Sequence, residues 1–173
     1  MVYKVTHLRQ RYLIPLVIVM LLSACHKEDP GSYNMPVSNF VEAVVRKYIY
    51  QIALAQQMEM QSDDNFLTLA AKIKRQSEES ILEISKTAST PVDINNMSLH
   101  EEDKRKITEL NALSGADHSR RLIVLLIDAN QELTALHVRA SSSTGVADEA
   151  IRAWAASKLP LLRENLSEVQ QIK

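Results

Sequence analysis

Residues 37–55 read VSNFVEAVVRKYIYQIALA, and the apolar side chains in this stretch recur with a helical period. Val37, Val41, Val44, Tyr48, Ile52 and Ala55 follow one another at intervals of three or four, flanked by Phe40, Val45 and Ile49. They make one broad apolar face on a helix of about six turns. A face that wide must be buried against others of its kind, and the rest of the chain supplies them.

A second helix is expected after Ser62-Asp63-Asp64, whose side chains can satisfy free amides at a helix start. Its stripe runs through Phe66, Ala70, Ile73, Ser77, Ile81, Ile84 and Ala88, and it stops at Thr90-Pro91 before the loop PVDINNM. Ser98-Leu99-His100-Glu101 has the spacing of a capping box and opens a short charged helix with Ile107, Leu110 and Leu113 on its apolar side. Another long helix is expected from about Asp117 to Ala140, with His118, Leu122, Leu125, Ala129, Leu133 and Leu136 inward. After SSSTG the last helix begins near Val146, carries Ile151, Trp154, Ala155, Leu162, Leu166 and Val169, and meets Pro160, which should kink or split it. Gly31, Gly115 and Gly145, the only glycines, all fall at expected boundaries. The pattern predicts an all-α four-helix bundle with an extra short helix and a proline-interrupted last helix.

Upstream of the bundle the chemistry changes. Lys4, Arg9 and Arg11 precede the apolar run Leu13–Leu22, which is too short to span a bilayer and reads as an export signal. Leu22-Ser23-Ala24-Cys25 resembles the bacterial lipobox, which implies cleavage before Cys25, a diacylglyceryl thioether on its sulfur and acylation of the new N-terminus. The expected organisation is a cleaved lipoprotein signal peptide over 1–24, a lipidated N-terminus and flexible linker over 25–36, and the bundle over 37–172. Two or more acyl chains give stable attachment where one is marginal. His26 after the cysteine, in place of aspartate, favours the outer membrane facing the periplasm by resemblance to enterobacterial sorting.

Composition narrows the function further. The 173 residues are 46% hydrophobic and 24% charged, which suits one globular domain. Removing the signal takes away three bases and no acids, leaving 17 bases against 21 acids and a net charge of −4, so a nucleic-acid partner is disfavoured. With Cys25 lipidated, no thiol remains for a disulfide, a metal or a nucleophile.

The segments SNFVEAVV (38–45), FLTLAAKIKRQSEES (66–80), LSGADHSRRLIVLLIDAN (113–130) and IRAWAASKLPLLRENLSEVQ (151–170), with Lys158-Leu159-Pro160, occur in an order that resembles a bacterial family of exported or outer-membrane proteins with a ferritin-like bundle. The resemblance implies that fold over residues 37–172. The family's polar feature is an Asp-His pair on the second helix, another on the next long helix, and a histidine after the Leu-Pro. Here those positions read Gln76-Ser77, Asp128-Ala129 and Asn165, so all three histidines are missing.

The residues themselves point the same way. A di-iron bundle needs inward glutamates and Glu-x-x-His pairs, and no histidine here follows an acid by three or four positions. His118 reads as a boundary residue, Asp128 with Glu132 as a solvated edge, and Met58 and Met60 as core or rim. Ser77, Asp128 and Asn165 form a candidate polar cavity, with Ser77 able to bond the carbonyl one turn back. No Gly-x-Ser-x-Gly elbow is present, so no enzyme activity, metal or cofactor beyond the lipid on Cys25 is expected. Two function classes follow. One is a lipid-anchored, non-catalytic module for an envelope protein, the cell wall or a small ligand; the other is a ferritin-like metal or redox protein with a non-standard ligand set.

Overall fold

The structure is a computed structural model that describes residues 35–61, 64–88 and 98–172. The expected signal peptide, Cys25, all but the last two linker residues, Ser62-Asp63 and the Thr90-Pro91 stop lie outside the described residues.

Among the described residues five helices form: α1 Val37–Glu59, α2 Asp64–Thr87, α3 Glu101–Asn111, α4 Gly115–Ser141 and α5 Glu149–Gln171. Four are long, and side-chain bonds between them fix their directions. Gln51 meets Ser77 and Glu59 meets Lys74, so α1 and α2 run antiparallel. Tyr48 meets His137 while Gln61 meets His118, so α4 also runs against α1. Glu83 meets Trp154, Gln76 meets Asn165 and Lys72 meets Glu168, so α5 runs against α2. The order is therefore up, down, down, up, with a single long crossover between α2 and α4 that carries α3. This is the connectivity of ferritin-like bundles.

The buried faces are those the period predicts, with apolar clusters toward the two ends of the bundle. Phe40, Val44, Ile84, Ile151 and Trp154 pack at one end, and Leu54, Met58, Phe66, Leu122 and Leu126 at the other. Burying each such side chain contributes about 1.5–3 kcal/mol, so this burial is the main cohesive force. Met58 is in the core and Met60 is exposed, matching the core-or-rim expectation.

Three local expectations need correction. The α3 capping box does not form: His100 is the N-cap, its Nδ1 accepting from the Glu102 amide at 3.4 Å. Ser98 lies too early in the chain to cap; its carbonyl instead accepts from Arg46 at 3.1 Å. Helix α5 starts at Glu149 rather than near Val146, capped by the Asp148 carboxylate on the Ile151 amide at 3.0 Å. Val146 is instead a fully buried core residue, and it pairs with Met35, whose amide donates to the Gly145 carbonyl at 3.1 Å. Pro160 lies inside α5, as expected, and the helix runs unbroken to Gln171, so of the two outcomes expected of the proline, a kink or a split, only the split is ruled out.

Gly115 begins α4 at φ +55°, a conformation that costs an L side chain about 1–2 kcal/mol. The space around it is open, so strain alone should set the effect of substitution. Gly115→Ala is expected to lower stability by about 1–2 kcal/mol and Gly115→Asn by less, because asparagine tolerates this region. Urea unfolding checks the pair; equal losses would show that φ is not the cause.

Candidate functional site

Between the two apolar clusters the bundle is polar. Ser77 Oγ on α2 donates to Gln51 Oε1 on α1 at 3.2 Å. Gln51 Nε2 donates to Asn130 Oδ1 on α4 at 3.1 Å, and Asn130 Nδ2 donates to the Leu126 carbonyl at 2.9 Å. Each group gives its proton to the next, and the chain ends on a backbone acceptor. On the neighbouring interface Asn165 Nδ2 of α5 donates to Gln76 Oε1 of α2 at 2.7 Å. All four helices are thus joined by neutral amides and a hydroxyl, buried except at the half-buried Gln76, and they favour one register because breaking a pair would be costly; Asn165 Oδ1 is the one acceptor of the layer left without a partner.

One turn away, Tyr48 and His137 form a second buried pair. His137 Nδ1 lies 3.1 Å from the Leu133 carbonyl, which can only accept, so Nδ1 carries the proton. Nε2 is then the acceptor for the Tyr48 hydroxyl at 3.1 Å. Phe40 and Trp154 pack edge-on and tilted against the imidazole, with centroids 6.0 and 5.1 Å away. Burial pushes the His137 pKa down to about 4 and holds the Tyr48 phenol well above its usual range. Trp154 Nε1 donates to Glu83, whose carboxyl is lowered chiefly by its bond to Lys158.

The third polar group lies outside the bundle centre, where α3 docks. Asp103 is 2% exposed and faces Lys47 at 3.4 Å and Lys106 at 3.7 Å. Lys47 also pairs with Glu132 of α4 at 2.6 Å. Burial works against the Lys47 ammonium, but the Glu132 and Asp103 carboxylates outweigh it and raise its pKa. Tyr50 lies beneath, with both ammonium groups within 6 Å of its ring, and its phenol is raised first by burial and then by the Asp103 charge. Beside this network a groove of about 800 Å³ opens between α1, α3 and α4.

The expected cavity residues divide. Ser77 and Asn165 are buried in the polar layer, on its two separate hydrogen-bonded arms, whereas Asp128 is exposed on α4 and joins neither. Ser77 bonds across to Gln51 rather than to its own preceding turn. His118 is a buried boundary residue at the start of α4, held by Gln61 at 3.2 Å. The sequence reading missed Gln51, Asn130 and His137. The available signal was spacing: Asn130 is four residues after Leu126, and His137 four after Leu133, both on the inward stripe. Their polarity hid them, and Leu136 drew the stripe one residue aside.

A ferritin-like metal centre would need carboxylates and histidines turned inward from these helices. The polar layer offers neutral amides and a hydroxyl already bound to one another, and among the described residues no three His, Cys, Asp or Glu side chains come together. The side chains present do not fit such a centre.

Topology and interior define the class as a ferritin-like helical bundle with an uncharged polar centre. Within that class the chain belongs to the family described as domain of unknown function DUF4142, which matches residues 25–172. Neither a curated protein nor a solved structure matches the chain significantly.

Proposed function

We propose that this protein is a lipid-anchored component of the bacterial cell envelope whose helical domain binds a partner rather than catalysing a reaction. The observation that carries the reading is the contrast between its interior and its surface. The polar layer is neutral and its amides and hydroxyl bond chiefly to one another, while the charged side chains and the open groove lie outside it between α1, α3 and α4. Binding uses what is exposed; acid–base catalysis would need an accessible group poised to titrate. Anchoring is supported by the basic and apolar leader followed by Leu22-Ser23-Ala24-Cys25, and the net charge, −1 for the whole chain and −4 once the leader and its three bases are removed, suits an envelope protein or cell-wall partner better than nucleic acid.

Cys25→Ser is expected to abolish metabolic labelling with a radioactive fatty acid and to move the protein from the membrane fraction to the soluble one. Labelling and membrane retention equal to wild type would refute the anchor. For the binding role, photo-crosslinking in intact cells should capture a reproducible adduct, and substitutions across the groove should remove it. A partner that persists after the groove is filled would place binding elsewhere.

A further inference from the structure

In the groove beside α3 every charged side chain but one is held in an ion pair among the described residues. Its apolar lining is Ala43 of α1 with Ala135 and Leu136 of α4. Its four carboxylates already have cationic partners: Glu42 pairs with Arg46 at 2.9 Å, Glu102 with Lys106 at 3.1 Å, Glu132 with Lys47 at 2.6 Å and Asp103 with the same Lys47 at 3.4 Å. Arg139 stands apart. It lines the same groove three residues after Leu136 and four after Ala135, so it lies beside them on the same side of α4. No carboxylate pairs with its guanidinium among the described residues. The first turn of α3 adds no attraction of its own, because Glu101, Glu102 and Asp103 there offset the positive end of the helix.

We propose that this groove is a binding site for a small monocarboxylate with an apolar body, the carboxylate taken by Arg139 and the body laid over Ala43, Ala135 and Leu136. A planar guanidinium offers two parallel donors to a carboxylate, and such charge-assisted pairs are about twice as strong as neutral ones. A groove of about 800 Å³ falls within the range of small-ligand sites. Because the other cations of the groove are already paired, Arg139 alone can compensate a ligand's charge, which selects a monoanion over a dianion. The proposal rests on the binding-module reading above and names the ligand chemistry for it. Free fatty acids and the C-terminus of an apolar peptide share this chemistry.

Isothermal titration of the full-length chain in lipid nanodiscs, against empty nanodiscs, tests it with two probes: octanoate and an N-acetylated alanyl-leucine dipeptide with a free carboxylate. Each is compared with its neutral amide. At least one acid should bind, and at least tenfold more tightly than its amide; which acid does so identifies the source. Arg139→Gln should erase the acid-over-amide preference, Ala135→Trp should abolish binding by filling the groove, and both variants should keep the wild-type helical circular dichroism. Equal binding of acid and amide, an unchanged preference in Arg139→Gln, or no binding of either acid would overturn the proposal. Any of these with Cys25-dependent membrane retention and the crosslinked adduct intact would leave the wider reading standing, so the two failures are separable.

Discussion

Lys47→Met is expected to destabilise the protein by about 3 kcal/mol, the lower end of the cost of stripping one partner from a buried ion pair. Asp103 is almost fully buried, and Lys47 is its nearer cation. Methionine preserves the length and apolar stem of lysine, so the loss reads out charge rather than packing. Lys106 stays at 3.7 Å and keeps the cost from reaching the upper end. Asp103→Leu should cost less, because Lys47 retains Glu132 at 2.6 Å. In the double variant the buried carboxylate is gone with its cation and only the exposed Glu132 loses a partner, so its stability should recover most of the Lys47→Met loss. Urea unfolding midpoints of the four proteins at pH 7 measure the cycle. A loss below 1 kcal/mol for Lys47→Met would mean that water reaches Asp103 and that α3 is not held by this charge.

The second large effect is a pH dependence from His137. Its folded pKa, about 4, lies below the unfolded value of 6.5. The unfolded chain therefore takes up a proton as pH falls below 6.5, while the folded chain resists until about pH 4. The stability contribution is complete above pH 6.5 and is lost on descent through that window, to a total of about 3 kcal/mol. His137→Gln removes the titrating group and still offers the Tyr48 hydroxyl an acceptor, so the variant should lose about 3 kcal/mol less than wild type between pH 7 and pH 4. Glu83 also titrates at the acid end, since its bond to Lys158 lowers its carboxyl, but it does so in both proteins and cancels in the comparison. Parallel stability curves for wild type and His137→Gln across this range would show that the imidazole is not buried in its neutral form.

These two sites mark where reading the chain in one dimension reached its limit. Phe40, Val44, Ile73, Leu122, Leu125 and Ile151 all lie in the core, on helices whose extents the apolar period placed within a few residues. The start of α5 was misplaced because Val146, an apolar residue beside Gly145, looks like the first member of a stripe. It is buried instead through its bridge to Met35, more than a hundred positions away. The start of α3 was misplaced for a related reason: Ser98 and Glu101 have the spacing of a capping box, but Arg46 on another helix takes the Ser98 carbonyl.

The polar layer shows the same division more sharply. Ser77 stood out as a break in an apolar stripe, and it is buried where the stripe placed it. Asp128 stood out through the family resemblance, yet it is solvent-exposed, and Asn130 two residues on enters the bundle. A two-residue step on a helix turns the side chain through most of a half-circle, so only the packed orientation of α4 distinguishes them.

By itself, then, the sequence determined the helices, their apolar faces and the expectation of a lipid on Cys25, because period, end chemistry and leader patterns are local properties of a chain. Tertiary structure alone decided the up-down-down-up order, the amide chain from Ser77 through Gln51 to Asn130, the burial of Asp103 against Lys47 and the place of Arg139 in its groove, where no carboxylate of the described residues pairs with it. Each of these depends on which residues meet across helices distant in sequence, and no local pattern carries that information.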